Sequence, residues 1–449
     1  MQPTRNQRMA TLACFGALLL YVVFAASHAP VWENGAVIFP VWIAAGFAWW
    51  LAIGLAIRGA IGLGSVLVGA IVLRVIALGS WPDLSDDIYR YVWEGELVAR
   101  GVSPYAWAPD AQRLGGIAAE LPAIHGAVNH PSISASYPPL TEGVFACIVQ
   151  LAQALNLGAI LLMRILFTLC DLFLIVPIVL LLRQSGKPDG LVLAWAWSPL
   201  VVSEFAGSGH FDSLGILLLL GSLAWFARTT PAARTWGQVL LAGAILVKYI
   251  PLAALPFVCR GTGHGKRALS VLLLCVFGFL PLALMQGGFS GLLSGLGEYG
   301  LRWQSSGLVH PHLAQFFDEF FAADGGLFDA RRLVRISLGG IWFGLALFVW
   351  KRKLDAAHST GILLGAFLVL TPTLHPWYVT WIVPFIALRP RASWIWLALS
   401  VPLTYTTLRA WKLEGVWEQS IWVQAAISVP FFLLLLLEMR NFMRQTTNR

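Results

Sequence analysis

Residues 158–182, GAILLMRILFTLCDLFLIVPIVLLL, are the stretch that decides the fold of this chain. They contain one arginine, Arg164, and one aspartate, Asp171, and every other residue is uncharged. An α-helix needs about 20 predominantly apolar residues to cross the hydrocarbon core of a bilayer, which is about 30 Å thick. The stretch therefore predicts a membrane-spanning helix.

The rest of the chain is also predominantly apolar. It is 58% hydrophobic and only 12% charged, with a mean hydropathy of +0.74, whereas soluble proteins carry about 25% charged residues. Apolar runs recur from residue 9 to residue 437, and no polar block between them is large enough for a soluble domain. We expect a single integral membrane domain, residues 1–449, that is all-α and has about 11–13 transmembrane helices.

The candidate spans follow the apolar runs. They are 9–27, 36–57, 60–79, 139–155, 158–182, 190–206, 211–228, 236–258, 268–287, 333–350, 359–374, 377–388, 392–408 and 419–437. The first could pass for a signal peptide, but its apolar core is long and we expect a retained span. Pro251 and Pro256 follow Lys248, which favours two half-helices or a re-entrant hairpin over 236–258.

Basic residues give the orientation. The net charge is +8, and the positive-inside rule explains it better than a nucleic-acid partner, because the cations cluster in short loops between spans. Eighteen of the 30 Lys and Arg residues lie in such loops: Arg5, Arg8, Arg58, Arg183, Lys187, Arg228, Arg234, Arg260, Lys266, Arg267, Lys351, Arg352, Lys353, Arg389, Arg391, Arg440, Arg444 and Arg449. We expect these loops and both termini to be cytoplasmic, in a bacterial inner membrane.

Two long connections then face the outside, residues 80–138 and 288–332. Because residue 138 is expected outside and Arg183 inside, the chain must cross the membrane an odd number of times between residues 138 and 183. One of the spans 139–155 and 158–182 is therefore expected not to cross fully.

The first outer loop contains a helical pattern, LSDDIYRYVWEGELVARG at 84–101, with Ser85 as an N-cap and Gly101 as its end. We expect this amphipathic helix to lie on the outer membrane surface. It begins with Asp86 and Asp87, and a carboxylate there could act as a general base for a sugar hydroxyl. The alternative is structural: the acids complement the helix dipole, and Asp86 pairs with Arg90 on the surface.

The sequence resembles a known family in several stretches. These are SDDIYRYVWEGELVARGVSPYAWAPD (85–110), VNHPSISASYPPL (128–140), GHFDSL (209–214), an apolar segment ending in Lys248, and HPWY (375–378). The chain is similar to bacterial membrane mannosyltransferases of the GT-C superfamily, and more narrowly to the polyprenyl-phosphate-mannose-dependent enzymes near glycosyltransferase family 87 and the PIG-M type. The resemblance extends over most of the chain.

The resemblance implies a GT-C fold with a catalytic Asp in the first outer loop. It implies an inverting transfer of mannose from a polyprenyl-phosphate donor to a lipid or glycan acceptor, with no separate cofactor. The site residues expected are Asp87 and Asp86 for catalysis; Lys248, His210, Arg90 and His375 for the donor phosphate; and Tyr91, Glu94, Tyr137 and Asp212 for substrate binding. Family members commonly have Asp where this chain has Glu94, which leaves the role of Glu94 open.

Other interpretations of these residues remain at this point. Arg164 and Asp171 are expected to form a structural pair within the membrane. The chain could also be a secondary transporter or a flippase for lipid-linked sugars, but transport sites usually lie at the bilayer midplane, whereas Asp86 and Asp87 are expected at the outer surface. The five cysteines show no metal-type spacing, so we expect neither a zinc site nor a disulfide framework.

Overall fold

The computed structural model describes residues 3–28, 30–80, 82–228, 230–260, 263–321 and 330–447. Within these ranges the regular structure is helical, and extended pairing is limited to isolated bridges such as Val102 with Gln286. This confirms the all-α prediction. Arg449 and residues 322–329 of the connection 288–332 lie outside the described residues.

The helices up to residue 202 are α1 (Arg5–Ser27), α2 (Val31–Ile57), α3 (Leu63–Leu78), α4 (Asp87–Ala99), α5 (Gly115–Glu120), α6 (Pro122–His125), α7 (Pro139–Leu155), α8 (Ala159–Phe173), α9 (Ile175–Gln184), α10 (Leu193–Ala196) and α11 (Pro199–Val202). A π-helical turn, Ser203–Gly207, follows α11. The later helices are α12 (Asp212–Phe226), α13 (Pro231–Val247), α14 (Leu255–Val258), α15 (His264–Ala283), α16 (Leu292–Arg302), α17 (His310–Phe321), α18 (Ala330–Lys351), α19 (Ala356–Leu370), α20 (Pro376–Val379), α21 (Val383–Leu388), α22 (Ala392–Ser400), α23 (Thr407–Glu414) and α24 (Ile421–Thr447).

The chain is a multi-pass membrane protein. Among the described residues, six helical segments are long and apolar enough to cross a membrane: Arg5–Ser27, Trp32–Ile57, Ala159–Gln184, His264–Ala283, Ala330–Lys351 and Ile421–Asn441. The pair Asp189–Ala196 and Pro199–Gly207, bent by 55°, makes seven if its halves form one span. Further apolar helices have 10–17 residues, so the expected 11–13 crossings stay a prediction.

Helices α8 and α9 form one apolar segment of 26 residues, whereas α7 has 17. At 1.5 Å per residue α7 is about 25 Å long, shorter than a hydrocarbon core of about 30 Å. If one of the two spans in this region does not cross, it is α7. The crossing number itself stays a prediction.

The charges inside the apolar core are paired differently from the expectation. Arg74 of α3 and Asp171 of α8 form a buried, bidentate ion pair with N–O distances of 2.7 and 2.9 Å. Arg164 instead donates to the backbone carbonyls of Ala77, in the last turn of α3, and Ala206. The expected pair of Arg164 with Asp171 is therefore wrong, because a second arginine on a neighbouring helix reaches the carboxylate with both nitrogens.

Helix α13 ends directly before Lys248, whose backbone is extended with φ −154° and ψ 142°. A 3₁₀ turn, Ile250–Ala254, and the short helix α14 follow. Pro251 has no backbone N–H to continue an α-helix. The expected break in 236–258 is present, and it places Lys248 at a helix end.

Helix α4 is enclosed by the protein. Ile88 and residues 90–98 are buried, and the helix packs so closely on α7 that a Cβ at Gly95 would lie 2.8 Å from the carbonyl oxygen of Phe145. This corrects the expected position on the membrane surface. The pattern of polar and apolar residues is that of a surface helix, but the polar side chains find their partners inside the protein.

Candidate active site

Asp87 lies at the start of α4 with a half-buried carboxylate. Asn129 donates from Nδ2 to Asp87 Oδ1 at 2.6 Å, and the Asp87 backbone N–H donates to Ser85 Oγ at 3.2 Å. Burial raises the pKa of Asp87, while the bond from Asn129 and the charge of Arg90 lower it. A carboxylate with a raised pKa is a better proton acceptor than an exposed one.

Lys248 faces the same space from the break after α13. Its Nζ donates to Asp212 Oδ1 at 2.5 Å, and Trp381 Nε1 donates to the same oxygen at 2.5 Å. The ammonium also lies 5.3 Å from the ring centre of Phe211 and 4.6 Å from that of Tyr378. The positive charge of Lys248 lowers the pKa of Asp87.

His210 is held on both sides of its ring. Its Nδ1 lies 3.1 Å from the hydroxyl of Tyr91, and its Nε2 lies 3.3 Å from a carboxylate oxygen of Glu204. The second contact is too poorly aligned for a hydrogen bond. The ring of Trp377 stacks between His210 and His375, with centroid distances of 4.2 and 4.3 Å.

Tyr91 and Tyr137 form an aromatic wall beside these charges. The Tyr91 ring stacks on Phe145 at 4.7 Å and meets Tyr137 edge-on at 5.8 Å. Tyr105 fixes the backbone of the wall, because its hydroxyl donates to the Tyr137 carbonyl at 2.6 Å. Seven of the expected residues therefore share one site: Asp87, Lys248, His210, His375, Tyr91, Tyr137 and Asp212.

The Arg90 guanidinium forms its hydrogen bonds within the protein. A guanidinium has five N–H donors, and here they bind Asn129 Oδ1, Glu94 Oε1 and the carbonyls of Asn129, His130 and Ile133, at 2.5–3.2 Å. Contact between Arg90 and a donor phosphate stays a prediction. In this geometry the Arg90 side chain stabilises the loop at 129–133.

Asp86 and Glu94 lie at the margin of the site. Asp86 pairs with Lys412 of α23 at 3.1 Å, and its side chain is 36% exposed. The Arg90 partner is Glu94, at 3.2 Å, so the alternative pairing of Asp86 with Arg90 is wrong. Burial raises the pKa of Glu94 to about 7, next to the buried carboxyl group of Glu142.

Several residues of the site could not be singled out from the sequence. Asn129 carries no charge, Trp377 is one of 21 tryptophans, and Glu204 reaches Tyr405 and His210 only in the folded chain. The motif quoted at 128–140 does contain Asn129, and HPWY contains Trp377. The position of Asn129 and Trp377 inside these motifs was the one sequence signal that could have indicated a role in the site.

No group of three or more His, Cys, Asp or Glu side chains within the described ranges has the arrangement needed to hold a metal ion. The carboxylates of Asp87 and Asp212 are each engaged by a nitrogen donor. Among the described residues, the site contains carboxylates, imidazoles, the Lys248 ammonium, the Asn129 amide and aromatic rings.

Comparison with known proteins places these residues in a family. A family model described as "Alpha-(1->6)-mannopyranosyltransferase, N-terminal domain" matches residues 6–261, which include Asp87, Asn129 and Lys248. Alpha-(1->6)-mannopyranosyltransferase B of Corynebacterium glutamicum is 26% identical over 350 residues, covering 70% of this chain and 56% of that relative. The chain thus spans little more than half the length of that relative. No solved structure matches the chain significantly.

Proposed function

Because this chain belongs to the alpha-(1->6)-mannopyranosyltransferase family, we propose that it is a glycosyltransferase that transfers mannose. The donor is a polyprenyl-phosphate-linked mannose, and the acceptor is a lipid or a glycan. The reaction takes place at the outer face of a bacterial inner membrane and needs no separate cofactor. Besides these substrates, the expected partners are membrane lipids.

The observation that carries the proposal is the meeting of Asp87 with Lys248. The Phe211 ring links them: Tyr91, on the same helix as Asp87, meets it edge-on at 5.3 Å, and the Lys248 ammonium lies 5.3 Å from its centre. The charge of this ammonium, from a distant part of the chain, lowers the pKa of the half-buried Asp87 carboxylate. Sugar transfer from a lipid phosphate needs these two groups, a base for the acceptor hydroxyl and a cation for the leaving phosphate.

In the proposed step, Asp87 accepts the proton of the acceptor hydroxyl while that oxygen forms a bond to the anomeric carbon of mannose. The bond from this carbon to the phosphate oxygen breaks, and its electron pair leaves with the lipid phosphate. Because a single displacement takes place from the face opposite the phosphate, the configuration of the anomeric carbon is inverted.

Lys248 is the proposed ligand of the phosphate, with His375 beside it. An ammonium has three donors, and the bond to Asp212 uses one, so donors remain for phosphate oxygens. Both ring nitrogens of His210 already face protein groups, which favours a role in orienting Trp377 and Tyr91. Tyr91, Tyr137 and the margin residue Glu94 are proposed to shape the space for the sugar, and Asp86 is the second candidate base.

The test is transfer of radiolabelled mannose from polyprenyl-phosphate mannose to a membrane lipid extract by the purified protein. We expect Asp87→Asn to lower the rate by roughly 10²–10⁴-fold, the usual contribution of a general base. Asp110→Asn is the matched control, because Asp110 is an exposed aspartate of the same loop. Near-normal transfer by folded Asp87→Asn would remove Asp87 as the base, and the same result for Asp86→Asn would remove the loop as the catalytic centre.

A further inference from the structure

Asn129 has a fixed orientation next to Asp87. Its amide oxygen accepts from Arg90 Nε at 3.1 Å, so its amide nitrogen must face the carboxylate, to which it donates at 2.6 Å. A free asparagine amide can turn by 180° and present either atom. Here the guanidinium determines which atom points to Asp87.

Arg90 also fixes the backbone that carries Asn129. Its Nη2 donates to the carbonyls of Asn129 and His130, at 2.5 and 2.8 Å, and its Nη1 donates to the carbonyl of Ile133 at 3.1 Å. Glu94, one helical turn along α4, accepts from the same Nη1 at 3.2 Å. The loop at 129–133 and the start of α4 are therefore tied together by one buried side chain.

We propose that Asn129, held by Arg90, is a positioning residue that orients the Asp87 carboxylate and keeps it ionised for proton transfer. By occupying Oδ1, the amide leaves Oδ2 as the oxygen that faces the acceptor hydroxyl. This inference rests on the proposed function, in which Asp87 is the base.

The Asn129 amide and the charges around Asp87 together affect the pKa of the Asp87 carboxyl group. A hydrogen bond donated to a carboxylate favours its charged form, and this bond opposes the burial that raises the pKa of Asp87. Removing the donor should therefore raise the pKa further. The titratable and charged groups that interact electrostatically with this carboxylate are Asp86, Arg90, Tyr91, Glu94, Glu204, Lys248 and Tyr405.

The test is the pH profile of kcat for Asn129→Ala and Asn129→Asp. The acidic limb of the profile reports ionisation of the base, and we expect it to move to higher pH by about one pH unit in Asn129→Ala, the usual effect of one hydrogen bond to a charged group. Asn129→Asp should move it further, because a second carboxylate replaces the donor. The donor KM should change less than kcat.

Two further variants separate positioning from general damage. Arg90→Lys keeps the charge but loses the fork, so its acidic limb should move in the same direction by a smaller amount. Gln153→Ala is the matched control, because Gln153 donates an amide to Glu96 on the same helix, at 3.0 Å, away from the site. A uniform loss of rate with an unmoved acidic limb in both Asn129 variants would overturn the proposal.

A second measurement keeps this inference distinct from the proposed function. The Asp87 carboxyl can be titrated by infrared difference spectroscopy, with Asp87→Asn to identify its C=O band, and this needs no turnover. If the wild type transfers no mannose, the proposed function fails. A midpoint that still rises in Asn129→Ala would support the positioning of Asp87, and an unchanged midpoint would overturn it.

Discussion

At the scale of single residues, Lys248 decides the electrostatics of the site. Its side chain is 12% exposed, and Asp212, its partner at 2.5 Å, is fully buried. A buried ammonium is stable only with an anion or several acceptors. Asp212 Oδ2 accepts no hydrogen bond from the described residues. The pair is thus held tightly at one oxygen, and the remaining donors of Lys248 are available to a second anion.

We expect Lys248→Ala to weaken donor binding, turnover or both by roughly 10–100-fold, the effect of losing a hydrogen bond to a charged group. Lys248→Arg should restore part of this, because a planar fork replaces a point charge. The measurements are donor affinity and single-turnover rate, with Lys187→Ala, in the loop after α9, as the control. Normal donor binding and turnover by a folded Lys248→Ala would place the phosphate elsewhere.

Residue types predicted much of the site but not its connections. Ionisable side chains near a membrane are costly, which is why Lys248, His210 and Asp212 could be singled out from the sequence. Asp87 was singled out by its place at the start of a predicted helix and by the family resemblance. The residues that these side chains contact could not be predicted in this way. Arg90 has several acceptors within reach, and only the folded loop shows that it binds carbonyls from residues 129–133.

At the scale of elements, α4 and α7 meet through two buried carboxyl groups. Glu94 of α4 and Glu142 of α7 are within hydrogen-bonding reach of each other, and both are buried. Glu94 Oε2 and both oxygens of Glu142 have no donor among the described residues. A proton on one carboxyl group supplies the missing donor, so the contact between the helices depends on pH.

Stability of the helix pair should fall as the pH rises. Burial raises the pKa of Glu94 from 4.5 to about 7, so the stability contributed by its neutral form is complete below about pH 4.5 and is lost as the pH passes 7. In Glu94→Gln no carboxyl group titrates at this position, and the loss should shrink. Thermal unfolding of the protein in detergent across this pH range tests the prediction.

The control for this experiment is Glu120→Gln, because the Glu120 side chain is 62% exposed. Its melting temperature should follow the wild-type pH dependence. An identical pH dependence in Glu94→Gln and the wild type would contradict the role of the buried Glu94.

Element boundaries were predictable where the sequence contains strong signals. The prolines after Lys248 predicted the break of α13, and the acids at 86–87 predicted the start of α4. The burial of α4 could not be predicted, because Arg90, Glu94 and Glu96 on a helix normally indicate exposure to water. Arg90 and Glu94 pair with each other along the helix, but further partners come from the loop at 129–133 and from α7, distant in sequence.

At the scale of the whole molecule, composition alone predicts a multi-pass all-α protein, and the structure confirms it. Orientation depends on the basic loops and stays a prediction. If it is correct, α4 and the loop that ends at Pro138 lie on the outer side, where a polyprenyl phosphate presents its head group.

Cysteine labelling tests the orientation. Ala119 and Ser185 are exposed, and in a Cys147→Ala background, which removes an exposed thiol, each can be replaced by cysteine. We expect an impermeant maleimide to label Ala119→Cys on intact cells and Ser185→Cys only after permeabilisation. The reverse pattern would move the site to the cytoplasmic side.

The central claim, that Asp87 serves mannosyl transfer from a polyprenyl phosphate, is tested most directly by the anomeric configuration of the product. Purified protein in lipid is incubated with isotope-labelled polyprenyl-phosphate mannose and acceptor lipids, and the product is read by NMR. The account predicts a mannosylated acceptor whose anomeric configuration is opposite to that of the donor, formed by the wild type and Asp110→Asn but not by Asp87→Asn. Movement of intact donor across the bilayer without such a product would contradict it and indicate a transporter.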